Sequence, residues 1–328
     1  MRQPPSTRDE AIATMLGSTI SGMISRIPCH PLDTIKARIQ SGEYSGNVWQ
    51  AGRTIVRAEG ARALYRGFGV TFWMSAPASC VYFSSYEAAK EAFGGGVMAH
   101  LGAGLLAEAL SCTLYVPIDV VKERMQVQGG IRRGGDTPYY ASARDAFSQI
   151  LSKEGIKGLY RGYGATLAAF GPFSAIYFAC YEALRARALD WDRKRESGGR
   201  GSGGGSLLPL WLQATVAAGA GAVASAATAP LDLVKLRLQT QILTKAAAEA
   251  VVLSSSSSTS KNHNYGGGSG TGSIMSGLRG AWSAGGIRGL WAGAGARVLF
   301  HSSSTAIALS CFEECRSAAR TFLYEPVA

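Results

Sequence analysis

The chain is 328 residues long and basic, with 33 Lys and Arg against 22 Asp and Glu and a formal charge of +11. It has neither zinc-finger spacing nor a Lys/Arg-rich reading helix, which sets aside the common nucleic-acid modules and leaves anionic lipid or charged solutes as partners for a basic chain. The mean hydropathy of +0.07 averages long uncharged stretches with strongly basic ones, so it does not exclude a membrane protein.

In chain order, Met1 to Glu10 is polar and short, without the apolar run of a cleavable secretory signal. Ala11 to Ser25 is uncharged up to Arg26, and Gly67 to Tyr86 is uncharged throughout. Val97 to Ile118 carries only Glu108 besides His100. Gly162 to Tyr181 and Gly201 to Leu231 have no charge, and Val298 to Phe312 has only His301. A bilayer core needs about 20 such residues in a helix, so these segments predict six transmembrane helices. Their Gly, Ala and Ser content suits close helix packing in lipid. Gly129 to Asp136 and Ser254 to Ser273 read as disordered insertions, and Arg193 to Ser206 as a flexible linker, because such compositions bury too little apolar surface to order themselves. Cys29, Cys80, Cys112, Cys180, Cys311 and Cys315 lie in or beside the predicted helices, with neither zinc nor secreted-disulfide spacing. Cys311 and Cys315, four apart, read as helix packing ahead of a redox or metal pair.

An internal repeat organises these elements. Pro31-Leu-Asp33-Thr-Ile-Lys36-Ala-Arg38-Ile-Gln40 returns as Pro117-Ile-Asp119-Val-Val-Lys122-Glu-Arg124-Met-Gln126 and as Pro230-Leu-Asp232-Leu-Val-Lys235-Leu-Arg237-Leu-Gln239. A second element, Glu59-Gly60 to Tyr65-Arg66-Gly67, returns as Glu154-Gly155 to Tyr160-Arg161-Gly162. It returns again, without its acid and base, as Gly285-Gly286 to Trp291-Ala292-Gly293. A third closes each unit: Tyr86-Glu87-Ala-Ala-Lys90, Tyr181-Glu182-Ala-Leu-Arg185 and Phe312-Glu313-Glu-Cys-Arg316. Acid and base three apart share one helical face. The units run over 11–93, 97–189 and 207–320, with a linker over 190–206 and the Ser/Gly insertion near 245–273. The prolines break the backbone hydrogen-bond ladder and bend the odd-numbered helices.

Together these motifs resemble the mitochondrial carrier family over roughly Ala11 to Ala319. The resemblance implies an all-α membrane protein, a pseudo-threefold six-helix barrel of three tandem repeats, each with two transmembrane helices and a short matrix helix. It implies a monomer that transports a small metabolite across the mitochondrial inner membrane, with peroxisomal or plastid membranes as alternatives. Asp33 with Lys122, Asp119 with Lys235 and Asp232 with Lys36 would form a matrix gate, braced by Gln40, Gln126 and Gln239. Glu87, Lys90, Glu182, Arg185, Glu313 and Arg316 would form the cytoplasmic gate, with Tyr86 and Tyr181 as braces. Ion pairs suit gates because both partners find water on opening, so the net energy stays small. Gly60, Gly67, Gly155, Gly162, Gly286 and Gly293 would bind cardiolipin at short-helix starts, where free N–H groups attract phosphate. The third such site is the weakest, having lost its Glu and Arg.

In that family the solute is read nine and ten residues after the aromatic of the second element, here Met74/Ser75, Ala169/Phe170 and Phe300/His301. Arg26 lies seven before Asp33, two helical turns away, and Glu108 eleven before Asp119, so each faces the same way as its aspartate. A charge at membrane depth is a functional candidate. Arg26 would take a carboxylate or phosphate, Glu108 an amino or sulfonium group, and Met74, Phe170 and Phe300 an apolar or aromatic moiety. That set reads a zwitterionic, amino-acid-like solute; alternatively, Arg26 and Glu108 simply pair with each other. His301 is either a titrating cavity group or a packing residue. Pro31 to Lys36, Val116 to Lys122, Pro172 to Ile176 and Glu108 resemble S-adenosylmethionine carriers, although Ala169-Phe170 replaces a charged pair expected there and Arg26 an acid. A carrier of an S-adenosylmethionine-like or other anionic cofactor, and a non-transporting scaffold of the same fold, are the alternative functions. Gly102-Ala-Gly104-Leu-Leu-Ala107 mimics a dinucleotide fingerprint without the preceding strand, and Gly266 to Gly272 lacks the Gly-Lys-Ser/Thr of a phosphate loop. Neither an enzyme, a catalytic residue, a metal site nor a cofactor other than bound cardiolipin is expected.

Overall fold

The computed structural model describes residues 7–42, 44, 47–94, 97–128, 139–197, 208–240 and 274–324. The insertions read at Gly129 to Asp136 and near 245–273, and the linker beyond 197, lie outside the described residues. Every regular element among those described is helical: α1 Thr7–Gln40, α2 Val48–Glu59, a 3-10 turn Ala61–Tyr65, α3 Phe68–Phe93, α4 Val97–Val127, α5 Ala143–Leu159, α6 Tyr163–Ser197 and α7 Leu210–Ala227. A helix α8 over 229–240 follows, then α9 Ile274–Leu290 and α10 Ala294–Tyr324. The first two repeats run long helix, short helix, long helix; in the third the first long helix is divided into α7 and α8.

The first two motif prolines lie inside continuous helices, Pro31 in α1 and Pro117 in α4. The third copy behaves differently. There the helix stops at a turn on Thr228, and α8 restarts before Pro230, with Asp232 N donating to Thr228 O at 3.2 Å. Among the described residues three segments are long and apolar enough to cross a membrane: Gly102–Val127, Tyr163–Asp192 and Leu210–Ala227. Helix α1 fails the same measure because it is apolar on one stripe. Ile12, Leu16, Ile20, Ile24 and Ile27 recur every three or four residues and stay exposed, as lipid-facing residues do. On other positions Ser21 and Ser25 are buried and bond back to Ser18 O and Gly22 O.

The helices group into two compact bodies. One comprises Met1–Cys29, Pro172–Ser225 and Val298–Ala328. Its apolar centre joins Ala188 of α6 with Leu208 and Val216, flanked by Tyr181, Leu184, Leu189 and Leu212. Trp191 stacks edge-on against Trp211 with ring centroids 6.2 Å apart. That contact corrects the linker read over 190–206, since α6 continues to Ser197 through its first part. Gly17 gives the closest approach in this body: a Cβ there would meet Arg316 Cα at 2.8 Å.

The other body is His30–Gly171 with Ala226–Arg297. It repeats one packing unit three times, the C-terminal part of α1, α4 or α8 against a short helix. Ile35 and Ile39 of α1 meet Ala51 and Ile55 of α2. Val120 and Val121 of α4 meet Ala146 and Ile150 of α5. Val234 and Leu238 of α8 meet Leu278 of α9. The short helices form because their apolar residues fall three and four apart, as Val48, Ala51 and Ile55 do. Ser142 caps α5 by accepting from Asp145 N at 3.2 Å, and Asp145 accepts from Ala141 N at 2.9 Å. With Gln149 first and Ala141 N second as donors, the exposed Asp145 carboxyl is held below its usual range.

Candidate functional site

The three motif copies converge within the second body. Lys36 Nζ lies 2.7 Å from Asp232 Oδ2, Lys122 Nζ 2.5 Å from Asp33 Oδ2, and Lys235 Nζ 2.7 Å from Asp119 Oδ2. The pairs run from α1 to α8, from α8 to α4 and from α4 to α1, a closed cycle in which no helix pairs with itself. All three aspartates are buried. Each also accepts an amide: Gln40 Nε2 donates to Asp232, Gln126 to Asp33 and Gln239 to Asp119, each at 3.2 Å and each to the oxygen that holds the lysine. A buried ion pair repays its desolvation only with such supporting hydrogen bonds.

Outside this triangle lies a second ring to which the sequence reading assigned no role. Arg38 and Arg124 are among the most buried side chains, at 0% and 1% exposed. Arg38 Nε donates to Gln126 O at 2.9 Å, Arg124 Nε to Gln239 O at 3.0 Å, and Arg237 Nε to Gln40 O at 3.3 Å. Each arginine therefore holds the backbone of the glutamine on its neighbour. Glu59 takes both Arg38 and Arg66, and Glu154 takes both Arg124 and Arg161. The third repeat has Gly285 at the corresponding acid. The signal for this ring was available, because the arginine stands at one fixed motif position in all three copies. Two other buried charges touch the triangle and occur in single copies: Arg297 Nε lies 3.4 Å from Asp232 Oδ2, and Glu123 Oε1 3.2 Å from Lys122 Nζ.

The six glycines read as lipid sites divide into two sets. All have positive φ. A Cβ on Gly60, Gly155 or Gly286 would meet nothing within 4 Å. On Gly67, Gly162 and Gly293 it would meet Lys122 O at 3.2 Å, Gln239 Cγ at 3.0 Å and Gln40 Cγ at 2.8 Å. The second set is thus packed directly against residues of the triangle.

The acid–base motifs of α3, α6 and α10 each lie within their own helix. Glu87 and Lys90 pair within α3 at 3.7 Å, and Glu313 and Arg316 within α10 at 3.2 Å. Glu182 and Arg185 make no ion pair among the described residues. Tyr86 stacks on Tyr82 and Tyr181 on Tyr177.

Of the residues read as solute contacts, Arg26, Phe300 and His301 belong to the first body and Met74, Glu108, Ala169 and Phe170 to the second. In the first, Arg26 is half-buried and has no hydrogen bond or ion pair among the described residues. His301 packs between Phe173 and Phe300, with ring centroids 5.0 and 5.1 Å away. In the second, Met74 is exposed, Ala169 buried and Phe170 half-buried. Glu108 is half-buried and accepts a hydrogen bond from Cys112 Sγ at 3.4 Å. Among the described residues no cluster of His, Cys, Asp and Glu could hold a metal ion.

A family model described as "Mitochondrial carrier protein" matches residues 7–97, 94–190 and 206–322. Mitochondrial substrate carrier family protein E of Dictyostelium discoideum is 34% identical over 193 residues, covering 55% of this chain and 63% of the relative. Probable S-adenosylmethionine carrier 2, chloroplastic, of Arabidopsis thaliana is 34% identical over 179 residues, or 52% of this chain and 46% of the relative. The mitochondrial S-adenosylmethionine carrier protein of Danio rerio is 33% identical over 199 residues, or 59% and 65%. The chain thus spans about half to two thirds of the length of these curated relatives.

Proposed function

Because the chain belongs to the mitochondrial carrier protein family, we propose that it moves a small solute across the mitochondrial inner membrane by alternating access. The observation that carries this reading is the closed cycle of three ion pairs, each braced by a glutamine. A cycle linking three different helices is a gate: it holds the helix ends together while dry and gives up little net energy when water reaches both partners. The acid–base motifs near the ends of α3, α6 and α10 serve as the second gate. Solute binding then needs to shift a bistable element by only a few kcal/mol. Gly60, Gly155 and Gly286, whose surroundings are open, hold cardiolipin phosphate, and the working unit is a monomer.

The solute is zwitterionic and amino-acid-like. Arg26, a half-buried guanidinium with no hydrogen bond or ion pair among the described residues, suits a carboxylate, and the half-buried Glu108 suits a cationic group. The presence of S-adenosylmethionine carriers among the relatives supports an amino-acid-like solute with an apolar or aromatic part. The test is a thermal-shift screen of the purified full-length protein against S-adenosylmethionine, free amino acids, dicarboxylates and nucleotides. Stabilisation by a zwitterion that Arg26→Ala abolishes is expected. Stabilisation by dicarboxylates or nucleotides alone overturns the zwitterion reading.

A further inference from the structure

The three corners of the ion-pair cycle are built alike, and two single-copy residues break their symmetry. Arg297 stands six residues after Trp291. The other repeats place Thr71 and Thr166 six after Tyr65 and Tyr160, and both threonines bond back into their own helices, to Gly67 O at 3.3 Å and Gly162 O at 3.1 Å. Arg297 is 4% exposed and reaches Asp232 Oδ2, the oxygen that already holds Lys36 and Gln40. Glu123 follows Lys122, whereas Ala37 and Leu236 follow the other two lysines. It is 5% exposed; one oxygen lies 3.2 Å from Lys122 Nζ, and the other has no hydrogen-bond partner among the described residues.

Each extra group has the sign that its corner would miss. Asp232 has a second cation waiting beside Lys36, and Lys122 has a second anion waiting beside Asp33. The third corner, Lys235 with Asp119, makes no second ion pair among the described residues; the uncharged Tyr115 ring lies 5.8 Å from Lys235 Nζ. Leaving a buried charge uncompensated is the costly part of breaking an ion pair, so a second partner already in place removes most of that cost. We propose that Arg297 and Glu123 are reserve charges, positioning residues that keep two corners neutralised when the primary partner is lost or moves away. The corner without a reserve is then the one most easily undone. Its meaning for transport rests on the carrier reading; the pairing itself does not.

Double-variant melting curves of the full-length protein in mild detergent test this without any solute. Lys36→Gln and Arg297→Thr, the latter giving the residue the other repeats hold, should each lower the melting temperature modestly, and together by more than the sum. Arg297→Lys, which keeps the cation, should restore tolerance of Lys36→Gln. Asp33→Asn with Glu123→Gln should show the same excess loss. Lys235→Gln should cost more than Lys36→Gln and add simply to Arg297→Thr. A double variant that fails to fold while both single variants are stable counts as the excess loss. Additive double variants, or Lys36→Gln as damaging as Lys235→Gln with Arg297 intact, overturn the proposal. Such a result leaves the transport reading untouched, and failure of wild-type uptake would leave the reserve charges untouched.

Discussion

Replacing Gly293 by alanine isolates what the close approach at the triangle is worth. Gly293 has φ of +76°, and an added Cβ would lie 2.8 Å from Gln40 Cγ. Gln40 cannot swing aside cheaply, because it is fully buried and its amide is committed to Asp232. Two costs therefore add: about 1–2 kcal/mol for a left-handed non-glycine residue and about 1–3 kcal/mol for overpacking. The control is the same alanine in a Gln40→Ala background, where the atom it would strike is gone and only the first cost remains. The assay is thermal unfolding of all three variants beside wild type in one detergent. Gly293→Ala is expected to cost clearly less in the Gln40→Ala background than in wild type. Equal costs in the two backgrounds would refute the claim that this glycine is needed for its contact.

The remaining expectations follow from single contacts. Lys122→Ala removes one corner of the cycle and should strongly impair uptake into liposomes reconstituted with the protein; unchanged exchange rates would count against the gate. Glu59→Gln strips the carboxylate from the buried Arg38 and should destabilise by about 3–5 kcal/mol, read as a large fall in melting temperature, whereas an exposed pair such as Glu87 with Lys90 should cost under about 1 kcal/mol. Trp191→Ala removes the edge-on contact with Trp211, about 0.5–1.5 kcal/mol beyond area. Hydrogen exchange over 190–197 should then rise, with the rest of α6 unchanged.

Much of the fold was legible because one short motif carries several physical constraints at once. Proline, aspartate, lysine and glutamine recur at fixed spacing, so the sequence itself pointed to three equivalent helix ends. What it did not reveal depended on contacts between distant segments. The turn at Thr228 was not apparent, since the same proline sits within an unbroken helix in α1 and α4. The ordered start of the supposed linker escaped composition because Trp191 is fixed by Trp211, twenty residues on. The second ring of arginines stands at one fixed motif position, but its shared acceptors on neighbouring helices are backbone carbonyls, which no residue pattern displays. Helix α1 illustrates the limit of averages: its exposed isoleucines share a helix with Ser, Thr and a charged end, and the mean hides the stripe.

Divergence among the repeats is itself informative about how the triangle is held. The outer ring has lost an acid in the third repeat, where Gly285 replaces the glutamate that clamps Arg38 or Arg124 in the others. The inner ring has gained a cation in that same repeat, where Arg297 replaces a threonine and sits on Asp232. Asp232 belongs to α8 of that repeat, and it is the aspartate with the additional cation. If the two features compensate, restoring an acid with Gly285→Glu should lessen the cost of Arg297→Thr. The same acid should do nothing for Lys235→Gln, because Asp119 lies on α4, whose outer clamp is already complete.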